Sequence, residues 1–261
     1  MSSRRSLSVL LGVAAHDARS VFKNPSALLL PPLLVPLFYL ASFVGPLGGM
    51  SRSTGFFYYN YSAFIFVFVL VQAALFCGMF AALDIGRDYE IGLGGRLMIA
   101  TPRRMAIVGG YALLSLVRGA AVMAVVWVVA VLTGMPVRGD VLDLVAINVL
   151  ALLLCLAGVL CGAGIALRFQ SSSAAILVLI PTFIVLFLTP LFEERRLLTG
   201  WFRIAADVNP LTAVIESGRG YMSHHPTSVG LAFAVAIGLV AAFSVFAVTG
   251  MRQAERGLHA R

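Results

Sequence analysis

Long apolar runs constrain the fold of this chain more than any other feature of its sequence. Sixty per cent of the 261 residues are hydrophobic and 11% are charged, whereas soluble domains are about 25% charged. A run of about 18 or more apolar residues is long enough to cross the hydrocarbon core of a bilayer. The pattern therefore predicts an all-α integral membrane protein.

The apolar runs predict six transmembrane spans within a single membrane domain covering residues 1–261. The predicted spans are, in chain order, 26–46, 56–83, 105–133, 141–167, 173–191 and 227–250. Before them, apolar residues at spacings of three and four over 6–23 predict a helix lying in the membrane interface. Asn24 and Pro25 end that helix, because proline disfavours helix in the preceding residue. In span 4, Gly158 and Gly162 form a small-xxx-small pair that permits close helix approach.

Basic residues predict the orientation of the spans, since Lys and Arg concentrate in cytoplasmic loops. With the N-terminus inside, twice as many basic residues fall in the inner segments as in the outer ones. Both termini are therefore predicted to be cytoplasmic. The formal net charge is +8, but the basic residues flank apolar runs and form no single patch. This arrangement argues against nucleic-acid binding.

Two features of the predicted spans are candidates for a substrate path. An aromatic cluster at the start of span 2 includes Tyr58 and Tyr61. It could form an aromatic belt at the lipid boundary, or it could line a substrate path. Arg118 lies midway along span 3, where a buried guanidinium needs a partner. It could bind an anionic substrate headgroup, or it could pair with backbone carbonyls or with a polar neighbour such as Asn148.

Several kinds of chemistry are absent from the sequence. There is no GxxxxGK[ST] phosphate-binding loop, because the only lysine, Lys23, is followed by Asn-Pro. No serine motif or pair of span histidines supports an intramembrane protease or a haem site. The predicted spans contain one carboxylate, Asp143, which disfavours an ion-coupled transporter. We predict no catalytic residue, no metal site and no cofactor bound by this chain.

Two connections are longer than simple turns require. The inner stretch 84–104 begins with charges, carries an apolar patch over 97–99 and ends in Thr-Pro. It suits docking to a cytosolic partner, or it could lie on the lipid headgroups. In the outer stretch 192–226, an asparagine N-cap followed by proline predicts a helix from Pro210 to about Tyr221. That helix is too short and too charged to span, so we predict a re-entrant segment between spans 5 and 6.

In these two stretches the sequence resembles the permeases of ABC-2-type exporters. After the second span those permeases carry a charged Glu-x-Gly-Thr stretch, then Leu and Ser/Thr-Pro. Between the last two spans they carry Asn-Pro, an acidic residue and an arginine. The corresponding residues here are Arg87, Asp88, Glu90, Gly92, Leu97, Thr101 and Pro102 in the inner stretch, and Asn209, Pro210, Glu216 and Arg219 in the outer stretch. Leu93 departs from the pattern, because threonine is usual at that position.

The resemblance implies the permease subunit of an ATP-binding-cassette exporter in a bacterial plasma membrane. A separate cytosolic P-loop ATPase would bind ATP and Mg²⁺ and contact the inner stretch, so this chain would be non-catalytic. A second permease copy, identical or related, would complete the path for a hydrophobic or amphipathic substrate. The Thr-Pro loop resembles the drug- and antibiotic-efflux branch more than the polysaccharide branch. Export of polysaccharide or lipid-linked glycan, and ion-coupled secondary transport, remain the alternatives.

Overall fold

The computed structural model describes residues 25–44, 60–101 and 104–259, and all regular structure in this part of the chain is helical. The predicted interfacial helix over 6–23 lies outside the described residues, as do Tyr58 and Pro102.

Nine α-helices follow one another in the described residues. They are α1 (Pro25–Tyr39, continued by a π-helical turn over Leu40–Val44), α2 (Tyr61–Glu90), α3 (Leu93–Ala100), α4 (Met105–Leu132), α5 (Val141–Phe169), α6 (Ala174–Phe187), α7 (Gly200–Val208), α8 (Pro210–Met222) and α9 (Val229–His259).

Four of these helices, α2, α4, α5 and α9, are long and apolar enough to cross a membrane. At a rise of about 1.5 Å per residue, helices of this length exceed a hydrocarbon core of about 30 Å. Helices α1 and α6 are apolar but shorter, and the 14 residues of α6 extend only about 21 Å. The described residues thus contain four candidate spans by length, together with two shorter apolar helices, where the sequence predicts six spans.

Helix α2 lies at the centre of the bundle. It packs against α1, α4, α5, α6 and α8, and 94% of its apolar window is buried inside the protein. A helix that is apolar all round must be buried in protein or in lipid, and α2 is buried in protein. Helix α9 is the opposite case, because only 17% of its apolar window is buried. It packs mainly on α5, and the rest of its apolar surface is left for lipid.

The closest helix contact joins α2 to α5. The small-residue pair Gly158 and Gly162 lies at this contact, which confirms the predicted close approach. A methyl group at Gly158 would lie 2.9 Å from the carbonyl oxygen of Leu75. The facing residue is Gly78, where a methyl group would lie 2.1 Å from the carbonyl oxygen of Cys155. Glycine on both helices therefore lets the two backbones touch.

Contacts between distant segments define the two ends of the bundle. At one end, Glu90 in the last turn of α2 accepts a hydrogen bond from the Ser171 hydroxyl. At the other end, Arg219 donates to the carbonyl oxygens of Phe64, near the start of α2, and of Leu191. The segment 171–191, which includes α6, therefore runs the whole length of α2. We call these the Glu90 end and the Arg219 end.

The bounds of two helices differ from those of the predicted spans. Span 2 is predicted to end at residue 83, but α2 continues to Glu90, because polar side chains in its last two turns contact α4. Span 5 is predicted over 173–191, but α6 ends at Phe187. Pro190 lacks the N–H that a continuing helix would need, so the chain leaves the helix before it.

Candidate functional site

A charged hairpin occupies the Glu90 end of the bundle. It consists of the last two turns of α2 from Asp84, a turn at 91–92, and α3. Gly92 adopts a φ of +79°, a conformation that favours glycine, and there the chain reverses from α2 into α3. A methyl group at Gly94 would lie 2.7 Å from the ring of Tyr89. The inner stretch 84–104 is thus mostly helical, and its glycines permit the hairpin to close.

The charged hairpin presents apolar and basic side chains together on its outer surface. On α3, Met98 is buried and Leu97 is half-buried, but Ile99 is 81% exposed. Ile91 in the turn is 67% exposed, and Arg87 is also exposed. Exposed isoleucines beside charges are typical of a surface that a partner covers.

Other residues of the inner stretch 84–104 make contacts within the protein. The Tyr111 hydroxyl on α4 donates a hydrogen bond to the Asp88 carboxylate. Thr101, at the end of the hairpin, is 2% exposed. Its hydroxyl has no hydrogen-bond partner among the described residues.

Glu90 contacts the connection between α5 and α6. Its Oε1 accepts hydrogen bonds from the Ser171 hydroxyl at 3.0 Å, the Ser172 hydroxyl at 2.9 Å and the Ser172 backbone N–H at 2.8 Å. The charged hairpin is therefore fastened to the start of α6.

Arg118 is 3% exposed, and its guanidinium is bound by α2. Its Nη1 donates to Asp84 Oδ2 at 3.0 Å and its Nη2 donates to the Cys77 carbonyl oxygen at 3.1 Å. Asn148, the alternative partner, instead accepts a hydrogen bond from Trp127 Nε1 at 3.1 Å. The structure thus places Arg118 in an ion pair that joins α4 to α2.

The ion pair neutralises a carboxylate just beyond the predicted end of span 2. The sequence places only Asp143 in a predicted span, whereas Asp84, Asp88 and Glu90 all lie in the last two turns of the span-length α2. Asp84 is nearest to the apolar part of this helix, where a carboxylate is normally neutralised by a partner, and Arg118 supplies the positive charge. The predicted end of span 2 at residue 83 leaves all three carboxylates outside it.

The helix predicted from Pro210 to about Tyr221 is confirmed as α8 (Pro210–Met222). The Asn209 side chain accepts a hydrogen bond from the Leu211 N–H at 3.0 Å, as an N-cap does. The same side chain donates to the Val185 carbonyl oxygen at 2.6 Å. Helix α8 packs against α2, α5 and α9, so Asn209 both caps this buried helix and joins it to α6.

Arg219 and Glu216 stabilise the Arg219 end through different contacts. Arg219 is 1% exposed and its guanidinium lies 3.3 Å above the ring of Phe64, a cation–π geometry. Glu216 pairs at 3.3 Å with Arg195, which also contacts Asp207 at 2.5 Å. The hydrogen bond from Arg195 to the Asp207 carboxylate raises the pKa of Arg195 above its ordinary value.

Tyr61 lies inside the protein, with an exposed fraction of 0%. Its ring stacks on Phe64 at a centroid distance of 5.9 Å. The aromatic-belt interpretation is therefore wrong for Tyr61, because a belt residue must reach the lipid boundary.

Gln72 was not identified by the sequence analysis. It is 0% exposed at the middle of α2, and neither amide atom has a hydrogen-bond partner in the described part of the chain. Its neighbours one turn away on the same face are Phe68 and Phe76, and Phe76 contacts Phe183 of α6 at 4.7 Å between ring centroids. A search for ionisable span residues overlooks Gln72, although it is the only amide or charged side chain between Ser62 and Asp84.

Asp140, Asp143 and His224 form a cluster of ligating groups whose ligand atoms lie within 4.8 Å of one another. Asp140 and Asp143 form a reciprocal capping box at the start of α5, and Asp143 Oδ2 also lies 2.9 Å from His224 Nδ1. The positive end of the helix dipole disfavours a cation there. We therefore assign the cluster to helix capping.

These features define a multi-pass helical membrane protein with a charged hairpin at one end. The chain belongs to the ABC-2 type transporter family, which it matches over residues 11–223. A comparison with curated proteins found no match. Members of this family are transmembrane subunits of ABC transporters, and they are typically non-catalytic and work with a partner ATPase.

Proposed function

We propose that this chain is the permease subunit of an ATP-driven exporter, powered by a separate cytosolic P-loop ATPase that binds ATP and Mg²⁺. The observation that carries the proposal is the family match over 11–223, which includes both the charged hairpin and α8. The exposed isoleucines and arginines of the charged hairpin support a protein partner at that end.

The proposed topology has six spans, with the Glu90 end and both termini in the cytoplasm of a bacterial cell. Segment 171–191 supports α6 as the fifth span. At one end Ser171 donates to Glu90 of α2, and at the other end Leu191 accepts from Arg219, which also donates to Phe64 of α2. Helix α1 would be the first span and α8 the re-entrant outer segment. The excess of basic residues in the inner segments supports the orientation.

The proposed substrate is hydrophobic or amphipathic, as in the drug- and antibiotic-efflux branch. A second permease copy, identical or related, would complete the path. Support comes from the polar Gln72 among aromatic rings on α1, α2 and α6, since binding pockets combine apolar walls with a few polar groups. These rings are Tyr39, Phe68, Phe76, Phe183 and Phe187.

We expect Gln72→Leu to raise the thermal unfolding midpoint of the purified permease while it reduces drug-stimulated ATP hydrolysis by the complex. Leucine is similar in size and removes a buried amide that has no hydrogen-bond partner among the described residues. Burying such a group costs about 1–3 kcal/mol. The matched control is Gln253→Leu, on an exposed position of α9. A lower midpoint for Gln72→Leu would show that the amide is paired in the folded protein, and would exclude it from the substrate path.

The proposed function is tested by purifying the tagged permease from native membranes in mild detergent and assaying the eluate for vanadate-sensitive ATP hydrolysis. We expect a P-loop ATPase to copurify in stoichiometric amount. A pure permease without an ATPase would contradict the proposal and would favour a secondary transporter.

In the same assay we expect Ile99→Asp to reduce the copurified ATPase about tenfold or more. An exposed isoleucine that a partner buries contributes about 1.5–3 kcal/mol, and a carboxylate there would add a desolvation cost. The control is Leu197→Asp, because Leu197 is 55% exposed in the segment between α6 and α7 near the Arg219 end. Equal yields of ATPase from both variants would exclude α3 as the docking surface.

A further inference from the structure

Glu90 accepts hydrogen bonds from the turn that leads into α6. The residue before α6, Ser173, makes no side-chain hydrogen bond to the helix, and its N–H donates to the Ser171 hydroxyl at 3.3 Å. The backbone N–H of Ser172, two residues before α6, donates to the Glu90 carboxylate at 2.8 Å. A negative charge at this end of a helix is favourable because of the helix dipole. A carboxylate of α2 therefore stabilises the turn from which α6 begins.

The backbone of α2 also touches the same connection. A methyl group at Gly86 would lie 2.5 Å from the carbonyl carbon and oxygen of Ser171 and 2.6 Å from the nitrogen of Ser172. Gly86 lies one helical turn before Glu90, on the same side of α2. The contact therefore has a steric part at Gly86 and a polar part at Glu90.

The three hydrogen bonds all end on one carboxylate oxygen of Glu90. Two of them come from serine hydroxyls, and the third comes from a backbone amide. Hydrogen bonds to an ionised acceptor are about twice as strong as neutral ones. A displacement of the charged hairpin would therefore pull on the start of α6 through Glu90.

We propose that Glu90 is a positioning residue that transmits movement of the charged hairpin to α6 by holding the 171–172 segment, instead of contacting the ATPase directly. This inference rests on the proposed function, in which the ATPase moves the hairpin. Helix α6 contributes to the aromatic region around Gln72. Through Glu90 this helix would have a polar connection to the end of the bundle that the proposal assigns to the ATPase. Glu90 then acts through the charge-assisted hydrogen bonds that its carboxylate accepts.

The test compares variants that separate hydrogen-bond acceptance from charge in the copurified complex. Glu90→Gln keeps an acceptor oxygen, Glu90→Ala removes it, and the double variant Ser171→Ala with Ser172→Ala removes the two hydroxyl donors. Ser173→Ala is the matched control on the same connection. The readouts are the amount of copurified ATPase and the hydrogen–deuterium exchange of peptides from α3 and from 170–178, with and without vanadate and ATP.

For wild type we expect vanadate trapping to change exchange in both α3 and 170–178. In Glu90→Ala and in the double serine variant, the amount of copurified ATPase and the vanadate-induced change in exchange of α3 stay as in wild type. The change in exchange of 170–178 falls about tenfold, because the charge-assisted hydrogen bonds are lost. Combining Glu90→Ala with the double serine variant reduces the exchange response of 170–178 little further, because both sets of substitutions break the same contact. Glu90→Gln keeps an acceptor oxygen but loses the charge, so it gives a response between those of wild type and Glu90→Ala. Ser173→Ala behaves as wild type.

The opposite pattern would overturn the inference. If Glu90 binds the ATPase directly, Glu90→Gln and Glu90→Ala lose copurified ATPase to the same extent and the serine variants behave as wild type. An unchanged response of 170–178 in Glu90→Ala would also exclude transmission through this contact. If the proposed function is wrong, no ATPase copurifies with the wild-type permease. That result differs from the results that would contradict the role of Glu90.

Discussion

Arg118→Ala is expected to lower the free energy of unfolding by about 1.5–3 kcal/mol, the cost of losing hydrogen bonds to a charged group, because the Asp84 side chain stays 27% exposed to solvent. The substitution leaves Asp84 without its positive partner and the Cys77 carbonyl without its donor. The readout is the unfolding midpoint and the monodisperse yield of the permease in mild detergent. Arg252→Ala is the control, because Arg252 is exposed on α9.

A second substitution distinguishes the structural role of Arg118 from substrate binding. Removing both charges with Arg118→Met and Asp84→Asn is expected to recover much of the lost stability, since no uncompensated charge then remains. Normal stability of Arg118→Ala together with altered substrate-stimulated ATP hydrolysis would contradict the structural role. It would instead assign Arg118 to an anionic substrate group.

Gly78→Ala is expected to destabilise the permease by about 3 kcal/mol, the upper part of the range for overpacked cores. The new methyl group would lie 2.1 Å from the Cys155 carbonyl oxygen, and this neighbour is backbone, which cannot rotate away. Helices α2 and α5 would have to separate along their closest contact. The measurement is again the unfolding midpoint in detergent.

The control for this prediction is Gly238→Ala on α9. An added methyl group there meets nothing within 4 Å, so we expect an unchanged or slightly raised midpoint, because alanine is the better helix former. A midpoint for Gly78→Ala within the error of wild type would mean that α2 and α5 are not packed this closely in the membrane.

Arg118→Ala and Gly78→Ala test two kinds of contact between α2 and its neighbours. Helix α2 is central, and it meets its neighbours through large apolar side chains, through small residues such as Gly78, and through paired polar groups such as Asp84. Its last two turns then leave the apolar part of the bundle and carry the charged hairpin. A central helix whose end carries the charged hairpin suits the proposed transmission of movement from an ATPase into the membrane.

The outer connection was predicted in its local structure but not in its contacts. Asn209 and Pro210 identify the start of α8 because an N-cap and a proline at the first position act within one turn. These local signals do not predict the contacts of Arg219, because its acceptors Phe64 and Leu191 are distant in sequence.

The sequence alone determined that this is a helical membrane protein, where its long helices lie and which family it belongs to. Apolar length, proline and N-cap signals act locally, so they can be read without a structure. Only the tertiary structure decided that α2 is longer than its apolar run, because Asp84 and Asp88 are stabilised by residues of α4. It also showed that Gln72 has no hydrogen-bond partner in the described part of the chain and that Arg118 is paired with Asp84. It showed as well that Glu90 accepts hydrogen bonds from Ser171 and Ser172. Each of these depends on which helices are neighbours, and that choice is made by packing between segments far apart in the chain.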